Sequence, residues 1–233
     1  MKRLLSAIAS VAAILSVSCS DDKGGIMLAE SEKTLYSGET YQIEAESASG
    51  SALTYTVENE YHATVSDKGL VTAGFVGQTD VVVSDGSEAR SVSITVAPRH
   101  TLYADPCTEW GTPKEQIIQR YGTPDLTSDA EGTITYYDYS PAAERLVYHF
   151  DGNDALKGVS VMVKTPYGPD IADFMAERYY LLSYDPDLFT YMYANGQSVE
   201  SVSVIVGVTL FEVSYWVVMY VPNNAEAKEQ LMK

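Results

Sequence analysis

The sequence predicts a multidomain protein: an all-β sandwich, then an α+β domain of two helix-plus-three-strand units on an antiparallel sheet. Three observations predict it. Up to about residue 97, short strand-like runs recur between turn signals, with no helical period. Beyond Pro98 the composition shifts, and all but Tyr36, Tyr41, Tyr55 and Tyr61 of the 18 tyrosines lie there. In that second part, two amphipathic helical stretches each precede three strand-like runs.

The chain begins with a basic start, Met1-Lys2-Arg3, and a small apolar run from Leu4 to Val17. That run is shorter than the ~20 residues a membrane-spanning helix needs. A basic start, a short apolar core and small residues before a cut site describe a secretory signal over residues 1–18. Ser16-Val17-Ser18-Cys19 resembles the bacterial lipobox, whose cysteine thiol is acylated before cleavage. Ser16 stands where the commonest form has leucine. The resemblance implies lipid attachment (palmitate among the acyl groups) at Cys19, with residues 19–25 as an acidic, glycine-containing tether. Several acyl chains, at about 0.8 kcal/mol per buried methylene, hold far more firmly than one. Ser20-Asp21-Asp22 resembles the acidic tag of lipoproteins sent to the cell surface. The expectation is therefore an outer-membrane lipoprotein exposed at the surface, with the periplasmic face as the alternative. The plainer reading is an ordinary secretory signal with an incidental cysteine.

Charge narrows the partners. The formal net charge is −17, and loss of Lys2 and Arg3 with the signal makes it more negative. Such a surface repels phosphate backbones, which argues against nucleic acid. It is repelled by anionic lipid too, so membrane attachment falls to the acyl chains. There are two cysteines. With Cys19 lipidated, Cys107 has no partner, so the fold rests on a hydrophobic core. The 45% hydrophobic content allows one. His62, His100 and His149 lack zinc-site spacing, no acidic loop has calcium-hand spacing, and neither metal nor cofactor is expected.

The first domain is expected over residues 26–97. Its strand-like runs are Gln42 to Ala45, Leu53 to Val57, Ala63 to Ser66, Leu70 to Ala73, Thr79 to Ser84 and Arg90 to Val96. Ser91 to Val96 alternates polar and apolar, as a half-buried strand does. Asp67-Lys68-Gly69 and Asp85-Gly86 are turns. The stretch from Glu58 to Ala73 is similar to the group 2 bacterial Ig-like domain (BIG2) of surface adhesins and other exported proteins. Leu35 with Gly38-Glu39-Thr40, Gly77-Gln78-Thr79 before Val81-Val82-Val83, and the closing Ser93-Ile94-Thr95-Val96 carry the same resemblance. Tyr55 departs from it, standing where tryptophan is frequent. The resemblance implies a β-sandwich acting as spacer or binding module, without catalysis. His62 reads as a loop residue before a strand sooner than as a ligand.

The second domain is expected over residues 101–222, followed by a polar tail, 223–233. Thr112-Pro113-Lys114-Glu115 reads as a capping box opening a helix from Pro113 to about Tyr121, ended by Gly122. Strands are expected at Thr133 to Tyr139, Arg145 to Asp151 and Leu156 to Lys164. A longer helix is expected from Pro169 to Asp185-Pro186, with Ile171, Phe174, Met175, Tyr179 and Leu182 as its apolar stripe. Strands at Leu188 to Ala194, Val199 to Gly207 and Leu210 to Val221 follow. A slide of 43 residues sets Val159-Ser160-Val161-Met162-Val163 against Val202-Ser203-Val204-Ile205-Val206. A competing register sets Ile134-Thr135-Tyr136 against Phe189-Thr190-Tyr191.

The first unit carries a further likeness in four places: Gly111, Ile117, Gly122 and Pro124; Thr133 to Tyr137; Val147 to Phe150; and Leu156 to Val159. It resembles the small outer-membrane assembly lipoproteins (SmpA/OmlA or BamE-like). A β-lactamase-inhibitor-protein fold doubles a similar unit. Both likenesses imply protein–protein contact across a sheet face.

Chemistry-bearing residues are few. Cys107 with His100 or His149 is the candidate nucleophile and base, against a buried structural thiol near Trp110. Asp170 and Asp173 could serve glycoside cleavage, but a helix start already explains them. No catalytic motif is present, and no catalytic residue is assigned. Tyr136, Tyr137, Tyr139, Tyr191 and Tyr193 are the candidate binding surface, since aromatic rows on a sheet suit a protein or sugar rings; packing beneath the helices is the alternative. The sequence thus predicts a non-catalytic surface lipoprotein that binds another protein in adhesion, with glycan binding second and a hydrolase third.

Overall fold

The computed structural model describes residues 25–198, 200–211 and 214–224. The expected signal, Cys19 and nearly all of the expected tether lie outside the described residues, as does the tail from residue 225. The chain is multidomain and mostly β, with two α-helices among the described residues.

The first domain is built from β1 (Ile26–Leu28), β2 (Glu32–Tyr36), β3 (Thr40–Gln42), β4 (Ala45–Ser47), β5 (Thr54–Val57), β6 (Ala63–Val65), β7 (Leu70–Ala73), β8 (Gly77–Ser84) and β9 (Ala89–Ala97). One sheet runs β2-β9-β8-β5 and faces another, β3-β7-β6, while β1 and β4 pair alone. β2 lies parallel to β9; the other pairs are antiparallel. Period-two alternation drives the packing. Val81 and Val83 on β8, and Val92, Ile94 and Val96 on β9, turn inward onto Leu35, Ile43, Ala63 and Val71. The expected strand from Gln42 to Ala45 is broken instead. Buried Ile43 sits where the chain leaves β7 as partner and joins β1. Both expected turns form. Gly69 donates to the Ser66 carbonyl at 2.9 Å. The Asp85 carboxylate accepts from the amides of Glu88 and Ser87 and from the Ser47 hydroxyl, which together hold its carboxyl well below the usual range.

Eight strands form the sheet of the second domain: β10 (Leu126–Ser128), β11 (Thr133–Tyr137), β12 (Ala143–Phe150), β13 (Leu156–Lys164), β14 (Tyr180–Asp185), β15 (Thr190–Ala194), β16 (Val204–Phe211) and β17 (Tyr215–Pro222). Their order is β10-β11-β12-β13-β17-β16-β15-β14, antiparallel throughout. Two four-stranded meanders thus meet at β13 and β17. Helices α1 (Lys114–Tyr121) and α2 (Gly168–Ala176) bury Ile117, Ile171, Phe174 and Met175 in the same core as one face of the sheet.

Several expectations need correction here. The two helix-plus-three-strand units are not supported: the strands number eight, and helices of eight and nine residues are a minor part of the domain. The long second helix stops at Ala176, and Tyr180–Asp185 is an edge strand. Its aromatic, apolar sequence fits a pleated edge better than a helix face. Tyr179 and Leu182 therefore share no helical stripe. The break expected between Gly207 and Leu210 is absent, because β16 runs from Val204 to Phe211 and pairs along that length with β17. The capping box does not form, because the Thr112 hydroxyl donates to the Glu109 carbonyl at 2.6 Å. The 43-residue slide aligns β13 with the start of β16, whereas the sheet order makes β17 its counterpart. The competing register aligns β11 with β15, each second from an edge.

Two glycines are required by close approach. A Cβ on Gly77, whose φ is +146°, would stand 2.2 Å from the His62 ring. One on Gly168 would stand 2.3 Å from the Trp216 indole nitrogen, which lets α2 start directly over β17.

Candidate functional site

The strand period decides which side chains reach which face of the eight-stranded sheet. Ile134, Leu146, Tyr148, Phe150, Val159, Val161, Val206, Val218 and Tyr220 point toward the helices and are buried. The residues between them form the other face. There Val147, Met162, Met192, Val217 and Met219 are half-buried around the small residues Gly158, Ser160 and Gly207. That face carries only a small satellite cluster, Ile205 and Val221 with Met192, Val202 and Met219. Near its β11 end, the Arg145 guanidinium lies 5.4 Å from the centre of the exposed Tyr137 ring. At its centre, His149 Nε2 is 2.9 Å from Ser160 Oγ. Burial, with Lys157 nearby, pushes the His149 pKa down, so its imidazole is neutral at neutral pH.

The five nominated tyrosines do not share one exposed row. Tyr137 alone is exposed on the open face. Tyr136, Tyr191 and Tyr193 are on the core side, Tyr193 almost wholly buried. Burial pushes the hydroxyls of Tyr136 and Tyr193 up. Tyr136 donates to the Gly122 carbonyl at 2.9 Å, which ties β11 to the end of α1. Tyr139 lies past the strand end, donates to the Ala104 carbonyl at 2.7 Å, and is pushed up by burial. Tyr191 and Tyr193 do lie on one face, stacked 6.4 Å apart and continued by exposed Tyr184 at 4.4 Å from Tyr191.

The other nominated residues are dispersed. Cys107 is buried and free. Its amide donates to the Tyr148 hydroxyl at 3.1 Å, and its Sγ accepts from the Arg120 guanidinium at 3.3 Å. Neither histidine is its partner: His149 pairs with Ser160, and His100 lies in the linker. Trp110 donates to the Ser203 carbonyl at 2.9 Å. Asp170 is in the first turn of α2. His62 Nδ1 is 3.1 Å from the Phe75 carbonyl. No cluster of three or more His, Cys, Asp or Glu side chains that could hold a metal occurs among the described residues.

A second region emerges where the domains meet. Glu177 and Arg178, just after α2, act as a latch. The Glu177 carboxylate accepts from the amides of Arg99 and His100 at 3.0 Å, and its backbone carbonyl accepts from the Val76 amide at 2.8 Å. The Arg178 guanidinium is 5% exposed. It donates to Asp105 at 2.8 Å and to the Phe174 carbonyl at 3.1 Å, and it lies 3.8 Å from the centre of the Phe174 ring. The Tyr61 hydroxyl donates to the Arg178 carbonyl. Tyr61 stacks on Phe75 and Tyr180 meets Phe75 edge-on, with centroids 4.7 and 4.5 Å apart along the series. Beside this junction lies a cleft of about 830 Å³. Sequence reading missed the latch. Its only signal was a Glu-Arg pair in an acidic chain, and the sequence placed that pair inside the longer expected helix.

Residues 25–96 match the family profile described as the bacterial Ig-like domain (group 2). This first domain is a group 2 bacterial Ig-like domain. The Ig-like domain thus supplies Asn59 to His62, Thr64 and Val76-Gly77 to the cleft. No curated protein sequence matches the chain. Among solved structures, the chain is similar to a GH10 xylanase from termite gut that contains a bacterial Ig-like domain. The identity is 24%, over 39% of this chain and 23% of that one, at a TM-score of 0.25. The chain therefore spans less than a quarter of that enzyme. It is also similar to domains 5–6 of the S-layer protein SbsC: 13% identity over 86% of this chain and 84% of that one, TM-score 0.28. Human protocadherin-24 EC1-2 gives 12% identity over 84% and 94%, TM-score 0.26.

Proposed function

We propose that the protein is a non-catalytic, lipid-anchored outer-membrane module, exposed at the cell surface, that binds another protein across the open face of its eight-stranded sheet. One observation carries this reading: helices and linker seal one face of the sheet, and the opposite face is left with half-buried methionines and valines around a glycine–serine trough. Unbranched thioethers adapt to an incoming surface. Tyr137 over Arg145 supplies an aromatic and cationic rim. Lipid at Cys19 accounts for membrane attachment; no helix among the described residues is long and apolar enough to cross a membrane.

The test is site-specific photocross-linking on intact cells. A photoreactive residue at Met162, on the open face, is expected to capture a protein, whereas one at Gln119, on the outer side of α1, captures none. Capture at Gln119 and not at Met162 would place the interface elsewhere. For the anchor, Cys19→Ala is expected to release a folded protein into the soluble fraction. Retention on salt-washed membranes would remove the lipid argument.

A further inference from the structure

The cleft between the domains has walls held in place before any ligand arrives. One wall comes from Asn59 to His62 and Thr64 of the Ig-like domain; the other comes from Asp105 and Thr108, from Arg178 to Tyr180, and from residues 195–197 with Ser201 and Ser203. The Glu177 latch and the Tyr61–Phe75–Tyr180 ring cluster fix the two walls relative to each other. A preformed cleft of about 830 Å³ is of the size that holds a small ligand.

Its chemistry excludes several classes. The cation in it, Arg178, is 5% exposed and spent on Asp105 and backbone carbonyls, so it cannot hold a phosphate or carboxylate. Exposed Glu60 and Asp105 repel anions as well. The described residues offer no metal cluster. What remains in the lining is neutral: Asn59 and Thr64 from the Ig-like domain and Thr108 and Gln197 from the second domain, with Tyr61, Tyr179 and Tyr180 among them. Side-chain amides and hydroxyls both donate and accept, as a polyhydroxylated ligand demands. Tyr179 and Tyr180 add ring surface to the lining, whereas the Tyr61 ring is stacked on Phe75 and its hydroxyl is given to the Arg178 carbonyl.

We infer that the interdomain cleft binds a short, neutral oligosaccharide. The site is distinct from the open sheet face, and it exists only while the two domains are docked. Glu177 is then a positioning residue, and Gln197 and Thr108 are contact residues.

Calorimetric titration of the purified full-length protein tests this, using cello-, xylo-, manno-, malto- and laminari-hexaose with polygalacturonate as the anionic comparison. At least one neutral hexaose is expected to bind in the micromolar-to-millimolar range. Gln197→Ala and Thr108→Ala, both at solvent-accessible positions, are each expected to weaken it several-fold with an unchanged circular dichroism spectrum. Glu177→Ala is expected to weaken it further, and Met162→Ala to leave it unaltered. Absence of binding by every neutral hexaose overturns the assignment. So does binding indifferent to both Gln197 and Thr108, preference for polygalacturonate, or equal binding of a tetra-alanine peptide. Because Met162 belongs to the sheet face, cross-linking there stands or falls independently of these titrations.

Discussion

The buried core of the Ig-like domain is aliphatic throughout: Ile26, Leu35, Ile43, Val71, Val81, Val83, Val92, Ile94 and Val96, with small alanines. The core of the second domain mixes aliphatic residues with Tyr103, Tyr148, Phe150, Phe174, Tyr193 and Tyr220. Both exclude water, but a tyrosine brings a hydroxyl that must find a partner inside. Tyr103 and Tyr220 satisfy each other at 2.8 Å, and Tyr148 accepts from the Cys107 amide at 3.1 Å. The second core is therefore specified by polar pairing as well as by volume. It also encloses titratable hydroxyls, whereas the first core meets its tyrosines, Tyr41 and Tyr55, only at its margin.

The largest expected effect is alkaline unfolding confined to the second domain. Burial raises the hydroxyl pKa values of Tyr103, Tyr148 and Tyr220. In the unfolded chain these groups ionise near pH 10, so the stability they contribute is complete below that value and is lost as pH rises beyond it. Well above that value each costs about 1.4 kcal/mol per pH unit; from about pH 10 to pH 11, where ionisation of the unfolded chain is still being completed, the three together cost the domain roughly 3 kcal/mol. Both tryptophans, Trp110 and Trp216, lie in this domain. Their fluorescence should report the loss while Val and Ile methyl signals of the Ig-like domain persist. Simultaneous loss of both signals would break the contrast.

Next in size is the latch. Glu177→Ala removes a carboxylate that accepts from two linker amides, an effect of roughly 2–3 kcal/mol. One cooperative thermal transition should split into two. A mutant that still melts in a single step would assign the coupling to the Tyr61–Phe75–Tyr180 rings instead.

Tyr148→Phe keeps the ring and strips its hydroxyl, stranding the buried Cys107 amide. Chemical denaturation should show a loss of about 1–2 kcal/mol from the second domain alone. A neutral result would mean that the amide finds another acceptor.

The smallest effect lies on the acid side. The His149 pKa is depressed by burial, so the unfolded chain takes up its proton first, and stability falls as pH drops below about 6.5. Denaturation at pH 7 and at pH 5 should differ by at most about 1.4 kcal/mol per unit on account of this group. His149→Gln should flatten that slope. An unchanged slope would assign it to carboxylates.

How much was legible in the sequence follows the same divide. In the Ig-like domain, period two and turn residues suffice, because alternation along strands such as β8 and β9 shows which side chains face the core. Ile43 was misread because one apolar residue can sit at a switch between sheets as easily as inside a strand. In the second domain, Ile171, Phe174 and Met175 announced a helix correctly. Tyr179-Tyr180-Leu181-Leu182 continued the apolar pattern in either period, and only the sheet edge decides in favour of a strand. The tyrosines were visible as a class but not by face, since one residue of offset separates Tyr136 from Tyr137. The cleft was not legible at all: its walls join residues such as Asn59 and Gln197, far apart in the chain and carrying no motif.

The last strand, β17, lies at the middle of its sheet, paired on one side with β13 and on the other with β16. A chain emerging amino-terminus first can complete the Ig-like domain early, because its closing strand β9 pairs with strands already made. The second domain must wait. Until Tyr215–Pro222 is available, its two meanders have no shared seam and both present open edges. The protein is thus timed by its own topology: an early-folding module leads, and a late-folding one closes only when the strand at its centre arrives.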